Sequence, residues 1–592
     1  MLVVELKENQ LQPMQIDLQW GLSQPAPDGW RGWYLEGRNG NLELRFSNGK
    51  FIGLGGGQLP VEGALMLGFA GRRWVIPQLW MQAGGGEGRL RWLDGRGRVW
   101  LRAEGYHHYL QPGERELILD AMSVLAGPAL LEAVGMKPGD AWHLGRAIVR
   151  AWLNAPVPAR RGTLACAYPN WHDGAGYLTD VALTNIPNVL QLSQFNGRVV
   201  VAPSAELRNV GTADVPWFRK FSTPVGAGYP PPYARDQHPL LTWNMYRIDA
   251  TGLLRQIGRG ELKHAFNTVN YDCSCYAGGS SYEPWNAANP AGYYASILWS
   301  ANHPDNAAGI GCRDIYYAGT NDYPGFLGLR SEVPAYTVAW EQCGSLFAPD
   351  ATAPGPCDQI PFNDYAAPDG QRRMLVDPAE LGDAASRYLV EAWYLVRDDI
   401  DIFNTMGHVD VVPALSGTQW QFPASDFSQG SILDAWVDPQ NPGLDASSHT
   451  VDNGQGHAGV AVRVLDVGGG VFRWVMALAN HDYDPGLTRL ELDIDPGFTV
   501  LAAGFHDPDD DPANDWTFSQ NGQTLRWQAP AGTAQQWGSL YTFWYELAAG
   551  PVGRRPMAVA RARPESVTDA GFDFNVLMPV QTVFSSTFES PP

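Results

Sequence analysis

Apolar and polar residues alternate with period two along much of residues 1–157, in short runs broken by glycine. Leu42-Glu43-Leu44-Arg45-Phe46, Leu90-Arg91-Trp92-Leu93 and Val99-Trp100-Leu101 are such runs, and alternation of this kind puts every second side chain on one face of a strand. Asn48-Gly49 and Asp94-Gly95 lie between runs, where the tight turns of hairpins lie. The pattern predicts an antiparallel sheet. In Ala121–Val134 and Trp142–Leu153 the apolar residues recur instead at three and four, which predicts two short helices. The Pro/Arg-rich residues 156–162 then read as a linker.

Beyond the linker, Asp180–Thr184 and Arg198–Val201 read as strands and the Gly/Pro-rich Gly226–Tyr233 as a loop. Gly279–Asn306 has little periodicity and reads as a compact surface loop that needs a staple to offset its ordering entropy. Tyr388–Val396 alternates again, followed by the acidic Asp398-Asp399-Ile400-Asp401. After a polar, turn-rich stretch come Val460–Val467, Phe472–Leu478, Thr488–Asp493, Trp516–Phe518, Leu525–Gln528 and Leu540–Leu547. Short strands separated by turns, with no helical period among them, predict a β-sandwich. Glu565–Pro592 carries little periodicity and reads as an extended tail.

The fold class expected is therefore mostly β and multidomain, with a disulfide-stapled central region and a C-terminal β-sandwich. The divisions are an N-terminal β-rich domain with two short helices (1–157), a central cysteine-containing domain (163–380), the sandwich (381–550) and the tail (551–592).

Composition agrees with that division. A chain of 592 residues exceeds one ordinary core, and 45% hydrophobic residues with Gly 66, Pro 45 and Trp 23 suit many turns and half-buried aromatic strands. A formal charge of -21 repels phosphate backbones and anionic bilayers, which argues against general nucleic-acid binding. No apolar run is long enough to span a membrane as a helix. Met1–Gln15 shows no apolar run and no small-residue cleavage site, so no signal peptide is visible. Lysine occurs only at Lys7, Lys50, Lys137, Lys220 and Lys263, consistent with arginine-for-lysine drift. Trp30, Trp33, Trp74, Trp80, Trp92 and Trp100 fit core and strand-edge packing, with a sugar-stacking face as the alternative.

Cys273, Cys275, Cys312, Cys343 and Cys357 cluster, with Cys166 apart. In a Trp-rich, loop-rich chain this reads as disulfide staples and hence export. Metal thiolates are the alternative, although one Cys-x-Cys followed by irregular gaps lacks the paired short spacing of structural zinc sites.

Three groups of residues carry candidate chemistry. His238 and His264, with Asp236, Asn244 and Glu332 in the same stretch, supply imidazoles and carboxylates of the kind that hold a divalent metal or act as acid and base. Their spacing matches no metalloprotease motif, and the competing role is packing at a turn and beside Phe266. Arg330 and Glu332, two apart on an expected strand, would share a face as an internal ion pair or as a clamp on a carboxylate or sugar hydroxyl. In the acidic loop, Asp507, Asp509, Asp511 and Asp515 offer alternate oxygens suited to calcium, with Asp482 and Asp484 beside His481 as further donors. The loop lacks the glycine and glutamate of an EF-hand and also reads as a solvated turn. Nucleophile motifs are absent: Gly278-Gly279-Ser280-Ser281-Tyr282 fails the serine elbow at Tyr282, and no Walker or Rossmann pattern occurs.

The segments Gln237-His238-Pro239, Asn244-Met245-Tyr246-Arg247, Gln256-Ile257-Gly258, Leu262-Lys263-His264, Gly311-Cys312-Arg313-Asp314 and Leu329-Arg330-Ser331-Glu332 resemble, in order, the core of a family of secreted, uncharacterised bacterial multidomain proteins. Tyr388-Leu389-Val390-Glu391, Gly504-Phe505-His506-Asp507 and Trp537-Gly538-Ser539-Leu540-Tyr541-Thr542-Phe543 are similar to its later portions, so the resemblance covers about Val181–Leu547. Phe584–Glu589 is similar to a Phe-x-x-Gly-Phe-Glu tail of exported proteins, with Thr587 in place of the glycine. The segment between Cys275 and Cys312 is longer and more aromatic than the family pattern. The resemblance implies export, several domains and a cysteine-bonded centre, and supplies no mechanism.

Two functions follow as expectations. One is a secreted or cell-surface protein that binds an extracellular polysaccharide or a cell-surface component, with calcium as the possible cofactor. The other is an exported metal-assisted hydrolase or oxidase with its site in residues 236–332.

Overall fold

The computed structural model describes residues 2–7, 17–20, 22–24, 30–35, 41–47, 50–83, 89–104, 107–109, 116–138, 140, 142–152, 179–211, 215–216, 238–265, 307–308, 311–340, 345–346, 372–443, 445–495, 497–509, 511–548 and 557–579. Strands account for 54% and helices for 7%, which settles the class as mostly β. Among the described residues no helix is long and apolar enough to cross a membrane.

The N-terminal hairpins join an 11-stranded antiparallel sheet, with a separate three-stranded sheet beside it. The two stretches expected to be helical are corrected here. Glu116–Ala126 pairs with His143–Trp152 as adjacent strands, and only Pro128–Ala133 is helical. The pairing register shifts between Leu119 and Met122 and again between Val124 and Leu125. Each irregularity resets the inward-outward alternation, and the resulting spacings imitate a helical period. Trp33, Trp92 and Trp100 are buried with Val4, Leu6 and Leu90 in one apolar cluster, so these rings are packing residues.

The centre of the chain folds on two paired strands, Leu240–Ile248 and Arg387–Leu395, which run antiparallel from Leu240 opposite Leu395 to Ile248 opposite Arg387. They belong to a seven-stranded sheet. Arg387–Leu395, grouped by its position in the sequence with the sandwich, is thus hydrogen-bonded into the central sheet. Alternation along Leu240–Ile248 sorts its side chains. Leu241, Trp243 and Met245 enter a large apolar cluster with Val199, Val390 and Val409, whereas Leu240, Thr242, Asn244 and Tyr246 face the other way. Arg330–Glu332 is a short 3-10 turn and not the strand expected.

Two five-stranded sheets form the C-terminal sandwich. Trp474, Trp527, Phe543, Phe572 and Phe574 fill the space between them. The expected tail is corrected in part: Met557–Arg563 and Phe572–Leu577 are strands of the second sheet, paired with each other. Phe572, Phe574 and Val576 are buried at two-residue spacing, so this segment is a sandwich strand. The sandwich docks on the central sheet through Tyr246, Leu254 and Leu389 on one side and Ala461, Val475, Ala477 and Leu540 on the other.

The linker at 156–162, the loops Gly226–Tyr233 and Gly279–Asn306, Asp236, the tail Phe584–Glu589, and Cys166, Cys273, Cys275, Cys343 and Cys357 lie outside the described residues.

Candidate functional site

The stretch from His238 to Glu332 divides into two buried clusters. In the first, Nε2 of His238 lies 2.7 Å from Nδ1 of His264, and Trp340 packs against both rings at 5.0 and 4.5 Å. The pairing of Leu240 with His264 brings the two imidazoles to one end of the sheet. Both histidines are buried. A ring nitrogen 2.7 Å from another shares one proton between them, so each imidazole occupies a nitrogen of its partner.

The second cluster is centred on Arg330, which is 2% exposed. The 3-10 turn aims its guanidinium at the polar face of Leu240–Ile248. Nη2 donates to Thr242 and, at 3.0 Å, to Asn244 Oδ1, while Nη1 donates at 2.8 Å to the carbonyl of Gly538. Trp537 lies beneath the guanidinium, its ring 5.2 Å away. The Arg330 backbone amide donates to Glu261 Oε2 at 2.7 Å.

Asn244 relays this network onward. Its Nδ2 donates to Glu391 Oε2 at 3.2 Å, and Tyr246 donates to the same oxygen at 2.8 Å. Asn244 and Glu391 are directly opposite on adjacent strands. Burial raises the Glu391 pKa, against its hydrogen bonds from Tyr246 and Asn244. Burial, with the charge of Glu391 beside it, also pushes the Tyr246 phenol well up.

Asn244 and Arg330 therefore meet, whereas Glu332 does not join them. Glu332 Oε1 accepts from the amide of Leu346 at 2.6 Å, and burial raises its pKa. The expected Arg330–Glu332 pair is corrected: on a 3-10 turn residues two apart do not share a face, and Arg330 turns to Thr242, Asn244 and Gly538. Tyr246, Glu391, Trp537 and Gly538 were missed as members of the network, although each stands in a segment quoted for the family resemblance. Gln256 joins the same region by accepting from the amide of Leu540 at 2.7 Å. Lys263 is buried over Tyr316, its nitrogen 3.0 Å from the ring centre. Burial lowers its pKa well below the usual value despite the charge of Asp314.

In the acidic loop the alternate carboxylates hold their own backbone. Asp507 accepts from the amide of Asp509 at 3.2 Å, Asp509 from that of Asp511 at 2.8 Å, and Asp511 from that of Ala513 at 3.0 Å. Among the described residues no group of three or more His, Cys, Asp or Glu side chains is arranged to hold a metal ion. Burial, then the charges of Asp509 and Asp515, raise the Asp507 pKa to about 7. A carboxyl with a folded pKa above its unfolded value of about 3.9 stabilises the fold below that value, and the contribution is lost as pH rises through 7. Asp507→Asn is therefore expected to melt higher than the parent at pH 8 and no higher at pH 4, in paired calorimetric scans. Equal gaps at both pH values would contradict it.

Asp482, expected with Asp484 to add donors to that loop, lies instead in a different cluster with His457 and His481. Asp482 Oδ2 is 2.8 Å from His457 Nδ1, and its other oxygen accepts from the His457 amide. His457 pairs across its hairpin with Asp452, whose Oδ2 is 3.7 Å from Nε2. Tyr336 and Phe403 flank the imidazole at 5.6 and 5.7 Å between ring centres. Phe403 also packs on His481 at 5.3 Å. Burial pulls the His457 pKa down, but Asp482 and Asp452 outweigh it and leave the value raised. Burial holds His481 neutral, near 3. Only the short turn joining Asp452 to His457 hinted at this cluster in the sequence.

No protein-family model and no curated protein matches this chain.

Proposed function

We propose that this chain is an exported multidomain β protein that acts by binding, at the cell surface or on an extracellular polysaccharide. One observation carries the reading. His238, His264, Asn244 and Arg330, the residues with the best claim to catalysis, are buried and bond to one another, to Thr242 and to the Gly538 carbonyl. Buried groups of this kind, the two imidazoles paired with each other and Arg330 and Asn244 tied to the Gly538 carbonyl of the sandwich, are not presented to a substrate. Export is supported by the clustering of Cys273, Cys275, Cys312, Cys343 and Cys357 in a loop-rich stretch, which reads as disulfide staples of an oxidising compartment. The resemblance to secreted bacterial proteins points the same way.

Co-sedimentation of the purified chain with insoluble cellulose, chitin and peptidoglycan, together with a glycan array, tests the proposal. Retention by at least one polymer is expected. No retention by any of them, together with a hydrolytic or oxidative turnover lost in His238→Ala and His264→Ala, would replace it with the metal-assisted enzyme. Calorimetric titration with calcium tests Asp507, Asp509, Asp511 and Asp515 as the cofactor site: no heat and no chelator effect on melting would remove calcium from the proposal.

A further inference from the structure

We propose that Asp507, Tyr541 and Arg259 form a binding site for a neutral sugar residue, on the seam where the sandwich meets the central sheet. This site, which rests on the polymer binding proposed above, gives that binding a place on the molecule.

Three segments distant in sequence bring the groups together. Phe505 pairs with Phe543 and His506 with Thr542, so Asp507 leaves its strand beside Tyr541. The Thr542 hydroxyl donates to the carbonyl of Leu254 and the Leu540 amide to Gln256 Oε1, which lays the Tyr541 strand along Leu254–Arg259. Arg259 closes the third side, its Nη2 donating to the carbonyl of Trp537 at 3.3 Å. The electrostatics agree with this placement: burial and then the charges of Asp507 and Asp509 raise the Tyr541 pKa, while Arg259 opposes them.

What marks the seam as a site is hydrogen-bonding capacity that the protein leaves unused. Asp507 is 9% exposed, and its Oδ1 accepts from the amide of Asp509. Oδ2 is buried with no hydrogen-bond partner among the described residues, and so is Arg259 Nε. The Tyr541 hydroxyl receives no hydrogen bond from those residues either. Arg330 and Asn244, by contrast, direct theirs into the protein. A buried acceptor without a partner destabilises a fold, so native proteins keep few, and a kept one calls for a bound water, an ion or a ligand.

The unused groups are an acceptor, a donor and a hydroxyl able to act as either, set round one aromatic ring. That combination matches the hydroxyls and the apolar ring face of a sugar. Tyr541 and Arg259 are partly exposed, so the seam is reached from solvent. Phe505 and Trp516 brace the Tyr541 ring at 5.3 and 5.8 Å, which holds the hydroxyl in position from the sandwich core. The charge of the ligand follows from the surroundings. Asp509 and Asp515 are exposed beside Asp507, and with a net charge of -21 they repel carboxylated or sulfated polymers, leaving a neutral sugar.

Calorimetric titration of the full chain with soluble cellohexaose and chitohexaose tests the site. The parent is expected to bind at least one of them, and to bind an oligogalacturonate of equal length more weakly. Tyr541→Phe keeps the ring and removes only a hydroxyl that the fold does not bond. It should leave melting unchanged and weaken binding by about tenfold. In Asp507→Asn the amide oxygen stays on the Asp509 amide and the NH2 takes the place of Oδ2, which turns an acceptor into a donor. That variant should also bind about tenfold more weakly, with melting no lower than the parent's. A merely structural role would move melting and binding together. Either variant binding as tightly as the parent, tighter binding of the anionic oligomer, or no binding of either neutral oligomer by the parent would overturn the site. Retention of the parent on an insoluble polymer in such a case would leave polymer binding standing elsewhere on the surface, whereas no retention would remove both.

Discussion

Arg330→Ala is expected to destabilise the folded chain by about 3–5 kcal/mol, the range for removing one partner from a buried charged network. The guanidinium holds three acceptors at once, Thr242, Asn244 and the Gly538 carbonyl. Alanine leaves all three without this donor, in a space closed to water. It also strips the cation from the face of Trp537 and opens a cavity beneath that ring. Lysine does not repair the change, because an ammonium on a flexible stem cannot reproduce a planar fork reaching two positions of one strand and a turn of the sandwich. Urea unfolding followed by tryptophan fluorescence measures the effect. A loss under 1 kcal/mol in Arg330→Ala, or full rescue by Arg330→Lys, would mean that the network is not what holds the sandwich to the central sheet.

How far this network was legible beforehand depends on the range of the interaction. Strands such as Leu90–Leu93 and Leu540–Leu547 declared themselves because inward and outward positions are set by neighbours one and two residues away. Glu116–Ala126 did not, since its register irregularities break the alternation. The polar side chains were singled out for the right reason, their concentration in one stretch, and for the wrong consequence. Asn244 looked reactive because its partner Glu391 stands 147 residues further on, and Arg330 because Gly538 stands 208 residues further on. Polar residues that satisfy one another over such separations look unpaired when the chain is read in order. His457 and Asp452 had the opposite fault: close enough to be seen together, they stood in a stretch that read only as turns.

The convergence also joins segments that lie far apart in the chain. Asn244 and Tyr246, Glu391, Arg330 and Gly538 come from four of the quoted segments and meet at one hydrogen-bonded junction. Gln256 adds a fifth by accepting from Leu540. Segments spread over 300 residues of chain thus share one physical requirement, which is the docking of a sandwich onto a sheet through polar groups that must all be satisfied.

Gly538→Ala probes that junction from the sandwich side and is expected to cost at least 3 kcal/mol, for two reasons that add. Gly538 has φ of +67°, a left-handed conformation that costs alanine about 1 kcal/mol. An added Cβ would also lie 2.0 Å from Arg330 Nη1, a separation no side chain tolerates, so the guanidinium must leave the Gly538 carbonyl it binds. Relief is hard to find, since the Gly538 amide is itself fixed to the carbonyls of Asn480 and His481. Because the two substitutions damage the same contact, the double variant Gly538→Ala with Arg330→Ala should lose less than the sum of the single losses, by 1 kcal/mol or more. Unfolding curves of the four proteins give this cycle directly. Strict additivity would show that the steric argument fails and that Gly538 is required for its backbone conformation alone.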